Sequence, residues 1–217
     1  MGKTIEHASE SDIDGQAADG GQAAHGRGED ASGQQVDRVS IRRLRADDRI
    51  SDITALLHRA YRKQVEMGLK PLAGRQTDEV TAQRISDAEF YVAVLPERDQ
   101  AGQRTGRDRI VGTILFQEPS WGKGPEWFER PEVANFSQFA VDPGVQGHGI
   151  GQKLIDVCER RAAESGAAEL ALSTASPDAE LVAFYHKRGY RFIQEFQWGP
   201  TNYTSHILSK TIRPAGE

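Results

Sequence analysis

The sequence predicts a mixed α/β fold, a largely antiparallel sheet of about six or seven strands with helices on both faces. Three observations predict it. Apolar residues alternate at a period of two in some segments and recur at helical spacing in others. The segments come in the order strand, helix, helix, three strands, helix, strand, helix, two strands, which is an α/β sandwich. A glycine-rich turn stands between the fourth strand and the helix after it.

Taken in order, Val39 and Ile41 alternate with polar neighbours and open a first strand. Asp47 or Asp48 can cap the next helix, in which Ile50, Ile53, Leu56, Leu57, Ala60, Tyr61 and Val65 share a face. Gly68 is its expected stop. Residues 68–76 read as loop, and Thr77 starts a short helix through Ser86 with Asp78 and Glu79 in its first turn. Residues 90–95 and 109–117 are strands, joined by a polar stretch, 96–108, read as a long hairpin loop. Residues 118–134 hold Pro119, Pro125, Pro131, Trp121 and Trp127 and read as an irregular loop. After the strand before the turn, Ile150, Leu154, Val157 and Cys158 form the apolar face of a helix closed by Gly166. Residues 168–173 are a strand. Ser176, Pro177 and Asp178 read as a helix start, a capping Ser with Pro and an acid after it. That helix passes Leu181, Phe184 and Tyr185 and stops at Gly189. Residues 190–198 and 203–210 are the last two strands.

The fold occupies residues 36–214. Residues 1–35 contain no Phe, Trp or Tyr and only Met1, Ile5 and Ile13 as large apolar residues. Such a stretch cannot bury enough surface to offset its ordering entropy, so it reads as a disordered, acidic, Gly- and Ala-rich tail. It holds seven acids and two bases, a net of −5, which equals the formal charge of all 217 residues. Residues 36–217 are therefore neutral, with 25 charges of each sign. No basic block argues for nucleic acid. Cys158 is the only cysteine, which excludes an intrachain disulfide and a cysteine zinc cluster. No apolar run approaches a membrane span of about 20 residues. No signal peptide is recognisable, and Glu6 stands where a myristoylation site needs Ser or Thr. A cytoplasmic protein without membrane or nucleic-acid partners is the expectation.

The turn reads Gln146-Gly147-His148-Gly149-Ile150-Gly151. The first N–H groups of a helix have no partner inside it, and the helix dipole adds partial positive charge at that end. A glycine-lined helix start is therefore an anion site, with phosphate its usual guest. A dinucleotide fingerprint needs a third glycine at position 152, which is Gln152. A P-loop is absent.

Two motifs carry a resemblance. Gln146 to Gly151 match a Q/R-x-x-G-x-G/A motif, and Ala183-Phe184-Tyr185-His186-Lys187-Arg188-Gly189-Tyr190 match a second one, F-Y-x-x-x-G-F/Y, about 30 residues on. In both, and in their order, the chain resembles the GNAT superfamily of N-acetyltransferases over roughly residues 36–210. The resemblance implies acetyl-CoA as co-substrate and no metal. It implies that backbone N–H groups of Gln146, Gly147, His148, Gly149, Ile150 and Gly151 hold the pyrophosphate. Backbone groups of Phe139, Ala140 and Val141 would pair with the pantetheine arm where the two central strands splay apart. An N–H at Val141 or Phe139 would stabilise the oxyanion. A homodimer is common for such folds.

Acetyl transfer to an amine needs the ammonium to lose a proton and the departing thiolate to gain one. Tyr185 resembles the family tyrosine that protonates the thiolate, and a phenol pKa of about 10 suits a donor at neutral pH. The base is open among a water chain, Glu118 and His206. Asp178 stands where relatives carry a cofactor-contacting Asn, and reads here as a helix-start acid. Trp121, Trp127 and Trp198 are candidates for an acceptor pocket or for satellite packing. The expected activity is acetyl transfer from acetyl-CoA to a primary amine of a small molecule or peptide. The alternative is a CoA-binding regulatory module of the same fold.

Overall fold

The structure, a computed structural model, describes residues 39–86, 88–119 and 124–212. The expected tail, residues 1–35, and Trp121 lie outside the described residues. Seven strands form one sheet: β1 (Ser40–Arg43), β2 (Glu89–Arg98), β3 (Arg104–Gln117), β4 (Val133–Val141), β5 (Glu169–Ala175), β6 (Arg191–Phe196) and β7 (Ser205–Thr211). Their spatial order is β1-β2-β3-β4-β5-β7-β6. β4 and β5 pair in parallel, and the other neighbours are antiparallel. The helices are α1 (Ile50–Ala60), α2 (Arg62–Glu66), α3 (Asp78–Ser86), α4 (Ile150–Glu164) and α5 (Ala179–Lys187). The mixed, largely antiparallel sheet with helices on both faces is the fold the sequence predicts.

β2 shows why its sequence is continuously apolar. Tyr91, Ala93 and Leu95 point into the core that holds α4, while Phe90, Val92 and Val94 meet Ile53, Leu56 and Leu57 of α1. A strand covered on both faces has no polar side. Leu154 of α4 is 0% exposed, and a Cβ added at Gly112 of β3 would lie 3.0 Å from its side chain. Helix and strand are thus in close contact, with little room to collapse around a void. Leu154→Ala is expected to cost about 2–5 kcal/mol in chemical denaturation. A loss below about 1 kcal/mol would mean that the core closes over the gap.

Four local readings change. Neither Asp47 nor Asp48 caps α1: Asp48 accepts from Arg42 Nη1 and the Arg45 N–H, both at 2.7 Å, and the cap is Arg49 with no side-chain bond. The single helix expected up to Gly68 breaks at Tyr61 (φ −89°, ψ 2°), and α2 begins at the next residue. The long loop 96–108 is mostly strand. β1 pairs β2 only as far as Val94, so Pro96 sits on an edge where its missing N–H leaves no gap in a ladder. The turn itself is short, closed by Asp99 Oδ1 accepting from the N–H groups of Ala101 and Gln103 at 2.9 Å. Finally, α5 starts after Ser176 and Pro177. The Ser176 N–H donates to the Thr204 carbonyl and stays in extended chain, and Asp178 is the cap, accepting from the Leu181 N–H at 3.3 Å.

Candidate active site

β4 and β5 stay together for four residues. Residues 133–136 pair with 169–172, after which β4 runs beside β3 to Val141 and β5 beside β7 to Ala175. The sheet therefore opens between them. A bulge in β4 sits where it opens: the register with β3 passes from Leu115↔Ser137 to Thr113↔Ala140, so two residues face one. Gln138 is at φ 51°, the one non-glycine positive φ among the described residues, and its carbonyl accepts from Thr113 Oγ1 at 2.8 Å. Such a bulge bends its strand and redirects side chains, often beside active sites.

Beyond the bulge the Asp142 N–H donates to Val111 of β3. Strand alternation then turns the backbone of Ala140 toward β3, and that of Val141 and Phe139 toward the opening. On that side the Phe139 carbonyl accepts from Tyr61 Oη at 3.3 Å, and the Val141 carbonyl from Gln146 Nε2 at 3.0 Å. The N–H groups of Phe139 and Val141 remain to face a ligand. Asp142 closes this end of β4 by pairing with Arg59 of α1 at 2.7 Å.

The glycine turn comes next. Gly147 (φ 83°) and Gly149 (φ 76°) are left-handed, and Gly149 is the cap of α4 without any side-chain bond. Among the described residues, no acceptor takes the N–H groups of residues 147–152. Six bare donors at one helix start are a cradle that fits a pyrophosphate. Gly151 lies against Phe139, whose ring a Cβ would approach to 3.0 Å. The helix start and strand end can close on each other only without a side chain there.

Tyr185 forms the floor. It is 3% exposed, with the rings of Phe136, Phe139, Phe184 and Tyr190 at 5.4–6.2 Å between centroids. Its hydroxyl has no protein partner and opens into the cleft. Burial first, then the neighbouring Tyr61 and Asp178, push the phenol well above its ordinary range. The phenol of Tyr61 is likewise pushed up, to about 12, chiefly by burial.

Phe139, Ala140, Val141, Gln146, Gly147, Gly149, Ile150, Gly151 and Tyr185 all line a cavity of about 1070 Å³. His148 does not: its Nδ1 turns back to the Gln146 carbonyl at 2.9 Å. Of the base candidates, Glu118 pairs with Arg161 at 3.3 Å and His206 packs on Phe192 at 5.1 Å, and neither lines the cavity. Trp198 does line it, with Nε1 donating to Ser173 Oγ at 2.9 Å. Trp127 instead packs in a satellite cluster beneath Arg130. Cys158 is core, as expected.

Sequence reasoning missed three residues of the cleft, Asp178, Tyr61 and Arg84, and Gln138 beside Arg84. Asp178 is the cleft's one buried acid, 7% exposed, and accepts from Gln64 Nε2 at 2.9 Å besides capping α5. Tyr61 was visible only as part of an apolar face. Gln138 and Arg84 gave no signal. The far wall is closed where Asn202 accepts from the Lys70 N–H at 2.8 Å and donates to the Gly68 carbonyl at 3.0 Å. Among the described residues, no group of His, Cys, Asp and Glu could hold a metal, and no helix is long and apolar enough to cross a membrane.

Residues 52–190 match the model of the Acetyltransferase (GNAT) family, and the chain belongs to that family. It is an acetyltransferase. Among solved structures, PH1933 from Pyrococcus horikoshii OT3 superposes with a TM-score of 0.60 at 19% identity, over 81% of this chain and 99% of that one. The ribosomal-protein-S18-alanine N-acetyltransferase from Escherichia coli gives 0.56 at 17% identity, over 82% and 97%. The yncA protein of Salmonella typhimurium, solved with its cofactor acetyl-CoA, gives 0.54 at 16%, over 82% and 96%. These are likenesses of fold. No curated protein sequence matches the chain.

Proposed function

We propose that the chain is an N-acetyltransferase that moves the acetyl group of acetyl-CoA to a primary amine by direct attack, with residues 36–214 as the catalytic unit and residues 1–35 as an appended tail in a cytoplasmic protein. One observation carries the reading: Gly147, Gly149, Ile150, Gly151 and Gln152, whose N–H groups have no acceptor at the start of α4, line the same cleft as Tyr185. The Salmonella protein of this fold was solved with acetyl-CoA, which supports that donor. The N–H groups from Gln146 to Gly151 hold the pyrophosphate, with His148 contributing backbone alone. The N–H groups of Phe139 and Val141 meet the thioester carbonyl and stabilise the oxyanion. Asp178, the buried carboxylate of the cleft, receives the proton of the acceptor ammonium, directly or through water. As the new C–N bond forms and the C–S bond breaks, the Tyr185 hydroxyl gives its proton to the sulfur, and the second proton of the nitrogen, lost as the amide forms, returns to the Tyr185 oxygen through water.

A thiol-release assay with acetyl-CoA and a broad panel of primary amines tests this. CoA release that depends on an acceptor is expected. Tight CoA binding without release for any amine would favour a binding module instead.

A further inference from the structure

Arg84 of α3 is half-buried in the cleft wall. A guanidinium withdrawn from water is ordinarily paired with a carboxylate. Among the described residues none pairs with Arg84. Its neighbours are neutral. The Gln138 amide oxygen, in the orientation that turns it to the guanidinium, lies 2.5 Å from Nε, 3.0 Å from Nη1 and 3.1 Å from Nη2. Tyr61 lines the same cleft, and burial draws the guanidinium below its ordinary range.

The other cations of the wall are differently placed. Arg59 is held by Asp142 and Lys63 by Glu180, and Arg62 is exposed. Nor does the donor explain Arg84. The phosphate cradle belongs to α4, which packs on one face of the sheet, whereas α3 lies with α1 on the other. The bulge in β4 gives Gln138 its left-handed backbone and places its side chain against Arg84.

We propose that Arg84 binds a carboxylate carried by the amine acceptor, so that the substrate class is a free amino acid or a close relative. This rests on the N-acetyltransferase reading. The planar fork of an arginine matches a carboxylate with two parallel hydrogen bonds. The cleft also presents the opposite charge. Asp178, Tyr61 and Arg84 all line the one cavity. A zwitterion meets both: its ammonium lies toward Asp178, which also takes the proton to be lost, and its carboxylate lies toward Arg84. A protein lysine offers no carboxylate on the reacting residue.

The test compares the twenty standard amino acids with their carboxamides, as acceptors in thiol release and as ligands in calorimetric titration of the CoA-loaded protein. At least one acid is expected to exceed its amide by about 10- to 100-fold in kcat/KM or in affinity. Arg84→Gln should erase that ratio by weakening the acid alone, with KM for acetyl-CoA unchanged. Arg84→Lys, which keeps the charge and loses the fork, should fall between. Thermal melts of both variants check folding. If Arg84→Gln fails to fold, Arg84→Lys decides by whether the ratio drops. Acids and amides that react or bind equally, or no binding of any acid, would overturn the proposal. Release with other amines but not with amino acids sinks this inference and leaves the transferase reading intact. Absence of release with every amine, with carboxylate-dependent binding retained, does the reverse.

Discussion

Tyr185→Phe is expected to lower kcat by about 100-fold or more, the usual contribution of a positioned general acid, while KM for acetyl-CoA stays within about twofold. The hydroxyl is the only atom removed, and it has no protein partner, so no internal hydrogen bond is lost. The ring keeps its contacts with Phe136, Phe139, Phe184 and Tyr190. Stability should therefore change by well under 1 kcal/mol. The raised pKa fixes the sign of the pH dependence. A phenol held well above its ordinary range stays protonated through neutral and mildly alkaline pH. Any alkaline fall of kcat below pH about 10 must come from another group. Steady-state kinetics of both proteins across pH would check this, and an unchanged kcat in the Phe variant would remove Tyr185 from the mechanism.

Tyr61 competes for that role, because its hydroxyl also lines the cleft. It is already engaged, donating to the Phe139 carbonyl. Giving up its proton would break that bond, whereas Tyr185 donates to nothing in the protein. The two phenols therefore divide the work. Tyr61 fixes β4 beside the bulge, and Tyr185 remains available.

How much of this was legible in the sequence depends on how local each feature is. The phosphate cradle is built from consecutive residues whose glycines leave φ free, so Gly147 and Gly149 announce it. Tyr185 was reached through a motif in one helix. The strands of the sheet were visible because burial on both faces writes itself into β2 as an unbroken apolar run. The bulge was not visible, because glutamine has no preference for the left-handed region that Gln138 occupies. What holds it there is long-range, the Thr113 hydroxyl across the sheet and the packing of α3. Asp178 reads correctly as a helix-start acid, but its second bond goes to Gln64, far away in sequence. Arg84, Tyr61 and Asp178 come from α3, the α1–α2 break and the cap of α5, and only the folded chain brings them into one cleft. The donor half of the site is local and readable; the acceptor half is assembled from distant parts and is not.

Gly149→Val is expected to abolish measurable binding of CoA while leaving the domain folded. At φ 76° a side chain is strained, and a β-branched one most of all, at a cost of about 1–2 kcal/mol. Nothing lies within 4 Å of the position a Cβ would take, so the strain is not compounded by a clash with the core. The chain can relieve it by letting the backbone at 149 swing out of the left-handed region. That motion reorients the N–H groups of residues 147–151, the donors that face the pyrophosphate. Several charge-assisted hydrogen bonds are then lost together, each of them about 1.5–3 kcal/mol, which takes the affinity down by more than about 1000-fold. Gly151→Ala provides the contrast, because its Cβ would meet the Phe139 ring at 3.0 Å and presses α4 away from β4 instead. Its effect should be smaller and should appear as a loss of both stability and affinity. Calorimetric titration with CoA, with a thermal melt of each variant, separates the two cases: retained tight binding by a folded Gly149→Val protein would show that the turn is not where the phosphates lie.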